Sequence, residues 1–151
     1  MERPPPKKIV GIDYGMVRIG LALSDELKII ANPLFTMESE KKLDKTVEKL
    51  LEKLDKHQVD HHYQIDAIVV GMPLMMNGKI GLLADEVNHF IEALKQKITI
   101  PIMTWDERLT SVQAERFLLK TEMSRKKRSK VVDVVSAMII LQMYLDYKNL
   151  Q

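Results

Sequence analysis

The chain has no cysteine among its 151 residues, so disulfides and thiolate-held metals are excluded, and nothing in its composition points to an oxidising compartment. It also has no apolar run long and uninterrupted enough to cross a bilayer. The first residues, Met1-Glu2-Arg3-Pro4-Pro5-Pro6-Lys7-Lys8, lack the apolar core of a secretory signal, which makes a cytoplasmic protein without membrane partners the expectation. Charge of one sign is scarce as well. With 23 basic and 21 acidic side chains the net charge is +2, so any nucleic-acid site has to come from local clustering. Aromatic residues make up only 5%; the single tryptophan, Trp105, and the ten methionines read as core filling rather than as a stacking platform.

What is present fits one compact domain. The 46% hydrophobic content supports a real core, but 151 residues are few for two domains. The three consecutive prolines make residues 1–7 an extended tail, leaving 8–148 as the single domain. Residues 8–12 and 18–24 are strand-like and joined by a link too short for a crossover, which predicts an antiparallel hairpin. The run 27–37 contains Asn32-Pro33 and is expected at a sheet edge, completing a three-stranded meander.

The period then changes. Leu43, Val47, Leu50, Leu51 and Leu54 fall at helical spacing within 39–58. Residues 65–70 form a nearly all-apolar strand of the kind buried on both faces, and Gly71-Met72-Pro73 stops it. A helix over 82–97 and a strand over 99–105 complete a βαβ unit with parallel strands. Thr110-Ser111-Val112-Gln113 reads as a capping box opening a helix over 110–120. Residues 125–130 hold five basic side chains in six, which marks a solvated loop before a last helix over 130–148, with Ser129 as a candidate cap. That helix is apolar on nearly every side and calls for burial under other elements or in a subunit contact.

Carboxylates stand where apolar segments end or are interrupted: Asp13 after the first strand, Asp106-Glu107 after the last, and Asp133 among Val131, Val132, Val134 and Val135. Two carboxylates about 4 Å apart repel by roughly 4 kcal/mol at an effective dielectric near 20, and a divalent cation reverses that penalty. The layout is therefore that of a metal-dependent active site. In Asp13-x-Gly15-x-x-Arg18-x-Gly20 the glycines let a turn form and let another backbone or a phosphate come close. Taken alone, Asp13 also fits a turn satisfied by its own backbone, and Ser24-Asp25 reads as such a turn.

Gly71-Met72-Pro73 with Asn77-Gly78 builds a loop at the carboxyl end of a buried strand, where open α/β sheets gather ligands. Strand alternation sends Asp106 and Glu107 to opposite faces, so one of them joins Asp13 and the other pairs locally. Asp133 shares a helical stripe with Ala137, Ile140 and Tyr144; its rival explanation is a helix-start aspartate favoured by the macrodipole. The histidines do not form a ligand set, because His57 and His89 belong to helical segments and His61-His62 to a polar loop.

The blocks from Ile12 to Asp25, Val70-Gly71-Met72-Pro73-Leu74 with Asn77-Gly78, Asp106-Glu107-Arg108-Leu109-Thr110-Ser111, and Asp133 before Ser136-Ala137 together resemble the YqgF family. Its members are described as pre-16S rRNA processing nucleases and as Holliday junction resolvase-like. One departure is Val134, where many members carry a polar or acidic residue.

The resemblance implies an RNase H-like α/β fold with a five-stranded mixed sheet, an antiparallel meander followed by βαβ, flanked by helices. It implies Asp13, Glu107 and Asp133 as catalytic metal ligands, with Asp106 as a further candidate, holding one or two Mg²⁺ or Mn²⁺ ions for phosphodiester hydrolysis. Arg18, Arg108, Arg125, Lys126, Lys127, Arg128 and Lys130 are the candidates for phosphate contacts, and the expected partner is pre-rRNA. Two alternatives stand beside this. One is a resolvase of four-way DNA working as a homodimer through the apolar last helix. The other is an RNA-binding ribosome-assembly factor with little catalysis. Actin-like ATPases and sugar kinases also open with Asp-x-Gly, but they clamp nucleotide between two such domains and this chain has room for one.

Overall fold

A computed structural model describes residues 3–73, 81–106 and 125–151. The described elements are β1 (Lys7–Asp13), β2 (Arg18–Ser24), β3 (Ala31–Glu38), α1 (Leu43–His61), β4 (Gln64–Met72), α2 (Leu82–Lys95), β5 (Ile102–Asp106) and α3 (Arg125–Asn149). The strands make one sheet in the order β3-β2-β1-β4-β5. β1, β2 and β3 pair antiparallel, while β4 pairs parallel with both β1 and β5. This is the expected five-stranded mixed sheet, and the Asn32-Pro33 strand is at its edge, where a missing amide donor costs little.

The two faces of the sheet carry separate cores. Val10 and Ile12 of β1, with Ile19, Leu21 and Leu23 of β2, pack under Val47, Leu50 and Leu54 of α1 and Phe90 and Leu94 of α2. On the other face Ile9, Ala22, Ala67 and Val69 pack under Ala137, Ile140, Leu141 and Tyr144 of α3. Strand alternation therefore assigns every second residue of β1 and β2 to one layer, and Gly11, Asp13, Arg18 and Gly20 all fall on the α3 side.

Glycine lets α3 approach closely. A Cβ on Gly11 would be 2.7 Å from Leu141 Cβ and 3.1 Å from the Ala137 carbonyl oxygen. One on Gly20 would overlap the carbonyl oxygen of Asp133. The helix backbone thus rests directly on the β1-β2 pair, without the usual layer of side chains between.

Four expectations change, the simplest being that the last strand begins at Ile102 rather than at Thr99. Residues 27–30 are not strand: the Asp25 carboxylate accepts hydrogen bonds from the Ile29 and Ile30 amides at 2.8 and 3.0 Å, and Lys28 is left-handed with φ 59°. These amide bonds hold the Asp25 carboxyl below its ordinary pKa. Residues 125–130 are not a loop, because α3 begins at Arg125; lysine and arginine are good helix formers, and a basic run does not oppose a helix that tertiary packing extends. His61 closes α1, so only His62 of that pair lies outside the helix, as its left-handed cap. The helix expected over 110–120 lies outside the described residues.

Substituting alanine at Gly20 is expected to push α3 off the sheet and cost roughly 1–3 kcal/mol or more, the range for forced overpacking. Urea denaturation of Gly20→Ala beside wild type measures this, and unchanged stability would contradict the close contact.

Candidate active site

The hairpin that carries Asp13 is fixed from three sides. Gly15 closes the turn, since a Cβ there would overlap the Arg18 carbonyl oxygen. Ser39, just past β3, donates from its hydroxyl to the Gly15 carbonyl at 2.8 Å and from its amide to the Val17 carbonyl at 2.9 Å. Tyr14 stacks on Phe90 of α2 with ring centroids 4.4 Å apart, and burial raises the pKa of its hydroxyl, with the charge of Glu86 adding to the effect. Asp13, between the paired strand and this pinned turn, is partly buried at the carboxyl end of β1.

Register brings Asp133 to the same place. Asp13 is the cross-strand partner of Gly20, and the Asp133 carbonyl closes on that glycine. Two aspartates distant in sequence thus share one face at one end of the sheet. Arg18, two residues before Gly20 and on the same side, donates from Nε to Asp133 Oδ2 at 2.7 Å. Both side chains are partly buried, 35% and 20% exposed. The helix-start explanation for Asp133 fails, because α3 begins at Arg125 and places it about two turns inside. The Ala137, Ile140 and Tyr144 stripe is buried against the sheet as its spacing predicts.

β5 ends at Asp106 and fixes the side that this acid takes. Trp105 packs on the α3 side, in contact with Tyr144 and Tyr147 at ring-centroid distances of 6.2 and 5.5 Å, which also bears out its core-filling role. Asp106 therefore falls on the opposite, α1-α2 side, away from the face that Asp13 and Asp133 share. Glu107 and Arg108 lie outside the described residues, as do Asn77-Gly78 and the side chains of Arg125, Lys126, Lys127, Arg128 and Lys130.

Among the described residues no group of three His, Asp or Glu side chains is placed to hold a metal ion. Asp13 and Asp133 nonetheless fit a hard divalent cation in their chemistry, since both supply carboxylate oxygens from one face. Reading the sequence alone missed the Arg18–Asp133 pair and the support from Ser39. Gly20 was the available signal for the first, since a glycine inside a strand marks the approach of another backbone.

The family model described as "RuvX: Holliday junction resolvase" matches residues 7–147. The chain belongs to the RuvX (YqgF) family. A curated relative from Protochlamydia amoebophila, named "Putative pre-16S rRNA nuclease", is 59% identical over 144 residues, covering 95% of this chain and 96% of the relative. One from Halothermothrix orenii with the same name is 44% identical over 142 residues, covering 94% and 96%.

Two solved structures share the RuvX chain's fold. RuvC of T. thermophilus, in complex with Holliday junction substrate, aligns at TM-score 0.54 and 17% identity over 95% of this chain and 96% of that one. The fowlpox virus Holliday junction resolvase aligns at TM-score 0.56 and 10% identity, covering 93% and 99%.

Because the Arg18–Asp133 pair is partly open to solvent, it contributes little to folding. Asp133→Asn is expected to lower stability by less than about 1 kcal/mol in urea denaturation. A much larger loss would make Asp133 a structural residue rather than one placed for chemistry.

Proposed function

We propose that this RuvX-family chain is a divalent-metal-dependent endonuclease that processes the precursor of 16S rRNA, with Asp13, Glu107 and Asp133 as its metal ligands. The observation that carries the reading is the convergence of Asp13 and Asp133 on one face at the carboxyl end of β1. The names of the relatives supply the substrate class. What supports Glu107 over Asp106 is that Asp106 lies on the side of the sheet opposite Asp13 and Asp133, which leaves the glutamate of that block as the acid the family resemblance assigns to the site.

A bound Mg²⁺ or Mn²⁺ ion supplies a lowered pKa for the attacking water and charge stabilisation for the phosphoryl group. The chain does the rest. Asp13 and Asp133 fix the position of the cation from two elements whose backbones are in contact, so the ligands need little reorganisation. The basic residues 125–130 occupy the first turns of α3, immediately upstream of Asp133 on the same helix. At 1.5 Å per residue this run begins about 12 Å along the axis from Asp133, close enough to neutralise phosphates flanking the cleaved bond. Arg108, next to Glu107 in the same block, is assigned to a phosphate as well. The protein works in the cytoplasm, where precursor rRNA is available; among the described residues no helix is long and apolar enough to cross a membrane.

The fold shared with T. thermophilus RuvC gives the junction-resolvase reading a specific observation of its own. Cleavage of a pre-16S rRNA fragment and of a four-way DNA junction at matched salt decides between them. The rRNA fragment is expected to be cut preferentially, with Mg²⁺ or Mn²⁺ required. Asp13→Asn is expected to lower the rate at least about 100-fold while leaving RNA binding intact or tighter. A strong preference for the junction would overturn the substrate assignment, and metal-independent cleavage would overturn the mechanism.

A further inference from the structure

We infer that Arg18 is a built-in counter-charge for the Asp13–Asp133 pair, competing with a cation for Asp133 Oδ2 and weakening cation binding there. The inference rests on the reading that these aspartates hold a divalent cation. Arg18 has another acid within reach of its strand: Glu38 of β3 is its direct cross-strand partner. Its 2.7 Å hydrogen bond nevertheless goes to Asp133, on a helix 115 residues away. The choice is built into the backbone, since the Asp133 carbonyl rests on Gly20, two residues along β2 on the same side.

The charges explain why such a residue belongs here. Asp13 and Asp133 bring two negative charges to one face, and without a cation their repulsion opposes the closure of α3 onto the hairpin. The permanent positive charge of Arg18 reduces that repulsion. Since it bonds an oxygen that would serve a metal, an incoming cation has to displace it, and its charge repels the cation as well. Arg18 is thus a positioning residue that holds the Asp133 carboxylate and keeps a bound metal exchangeable.

Mn²⁺ binding to the full chain, followed by the electron paramagnetic resonance of the free ion at low salt, tests this with Arg18→Gln and Arg18→Lys. Arg18→Gln is expected to bind Mn²⁺ about tenfold more tightly than wild type, and Arg18→Lys to stay within about threefold of it. If Arg18→Gln does not fold, ¹⁵N NMR of wild type reads the same point. The Arg18 Nε–H signal is expected to be protected from exchange in chelator and to lose that protection on addition of Mg²⁺. Equal or weaker Mn²⁺ binding by Arg18→Gln, or an Nε–H signal indifferent to Mg²⁺, would overturn the inference and leave the metal site standing. Absence of Mn²⁺ binding by wild type would instead remove the proposed nuclease site, and this inference with it.

Discussion

The contact between α3 and the β1-β2 hairpin is the constraint on which the site depends. It is a close approach of the helix to strand glycines, made at Gly20 by the backbone of Asp133 and at Gly11 by the Ala137 carbonyl and the Leu141 side chain. Interiors packed at this density do not yield gradually, so the position of α3 along the sheet is set in discrete terms. Because Gly20 is also the cross-strand partner of Asp13, the same contact that fixes the helix fixes the spacing of two carboxylates. Stability and chemistry are thus coupled through two missing side chains.

The molecule assembles this site from parts of opposite character. On the α1-α2 side the sheet is covered by large side chains, Phe90, Leu50 and Leu94 among them, in an ordinary thick core. On the α3 side the layer near the site is thin, with Ala22 and Ala137 beside the glycines. A thin layer brings polar groups from strand and helix together at the rim without burying them deeply. Asp133 keeps 20% of its side chain exposed, which avoids the cost of enclosing a lone carboxylate.

Much of this was legible in the sequence because local patterns carried it. Residues 18–24 read as a strand and are β2 in full, and the apolar spacing of α1 and α2 located both helices to within a few residues. Where side chains capture backbone groups, the pattern misled. Residues 27–30 look like strand, but Asp25 takes two of their amides. The basic run 125–130 looked like a loop because composition alone says nothing of the helix that follows it.

Within the site, Asp13 and Asp133 stood out as carboxylates in apolar settings. Their sharing of one site was inferred from carboxylates standing where apolar segments end or are interrupted, and the family resemblance implied the ligand set, since a glycine announces a close approach without saying which element will make it. Alternation predicted that Asp106 and Glu107 part company, and the packing of Trp105 on α3 supplies the side that Asp106 takes. The Arg18–Asp133 pair spans 115 residues, and its local sign was Gly20 inside β2, which does not name the partner element.

Anomalous diffraction from crystals soaked in Mn²⁺ tests the central claim most directly. The account predicts a peak between the carboxylates of Asp13 and Asp133, with Glu107 as a further ligand. A peak elsewhere, or none at concentrations that support cleavage, would contradict it.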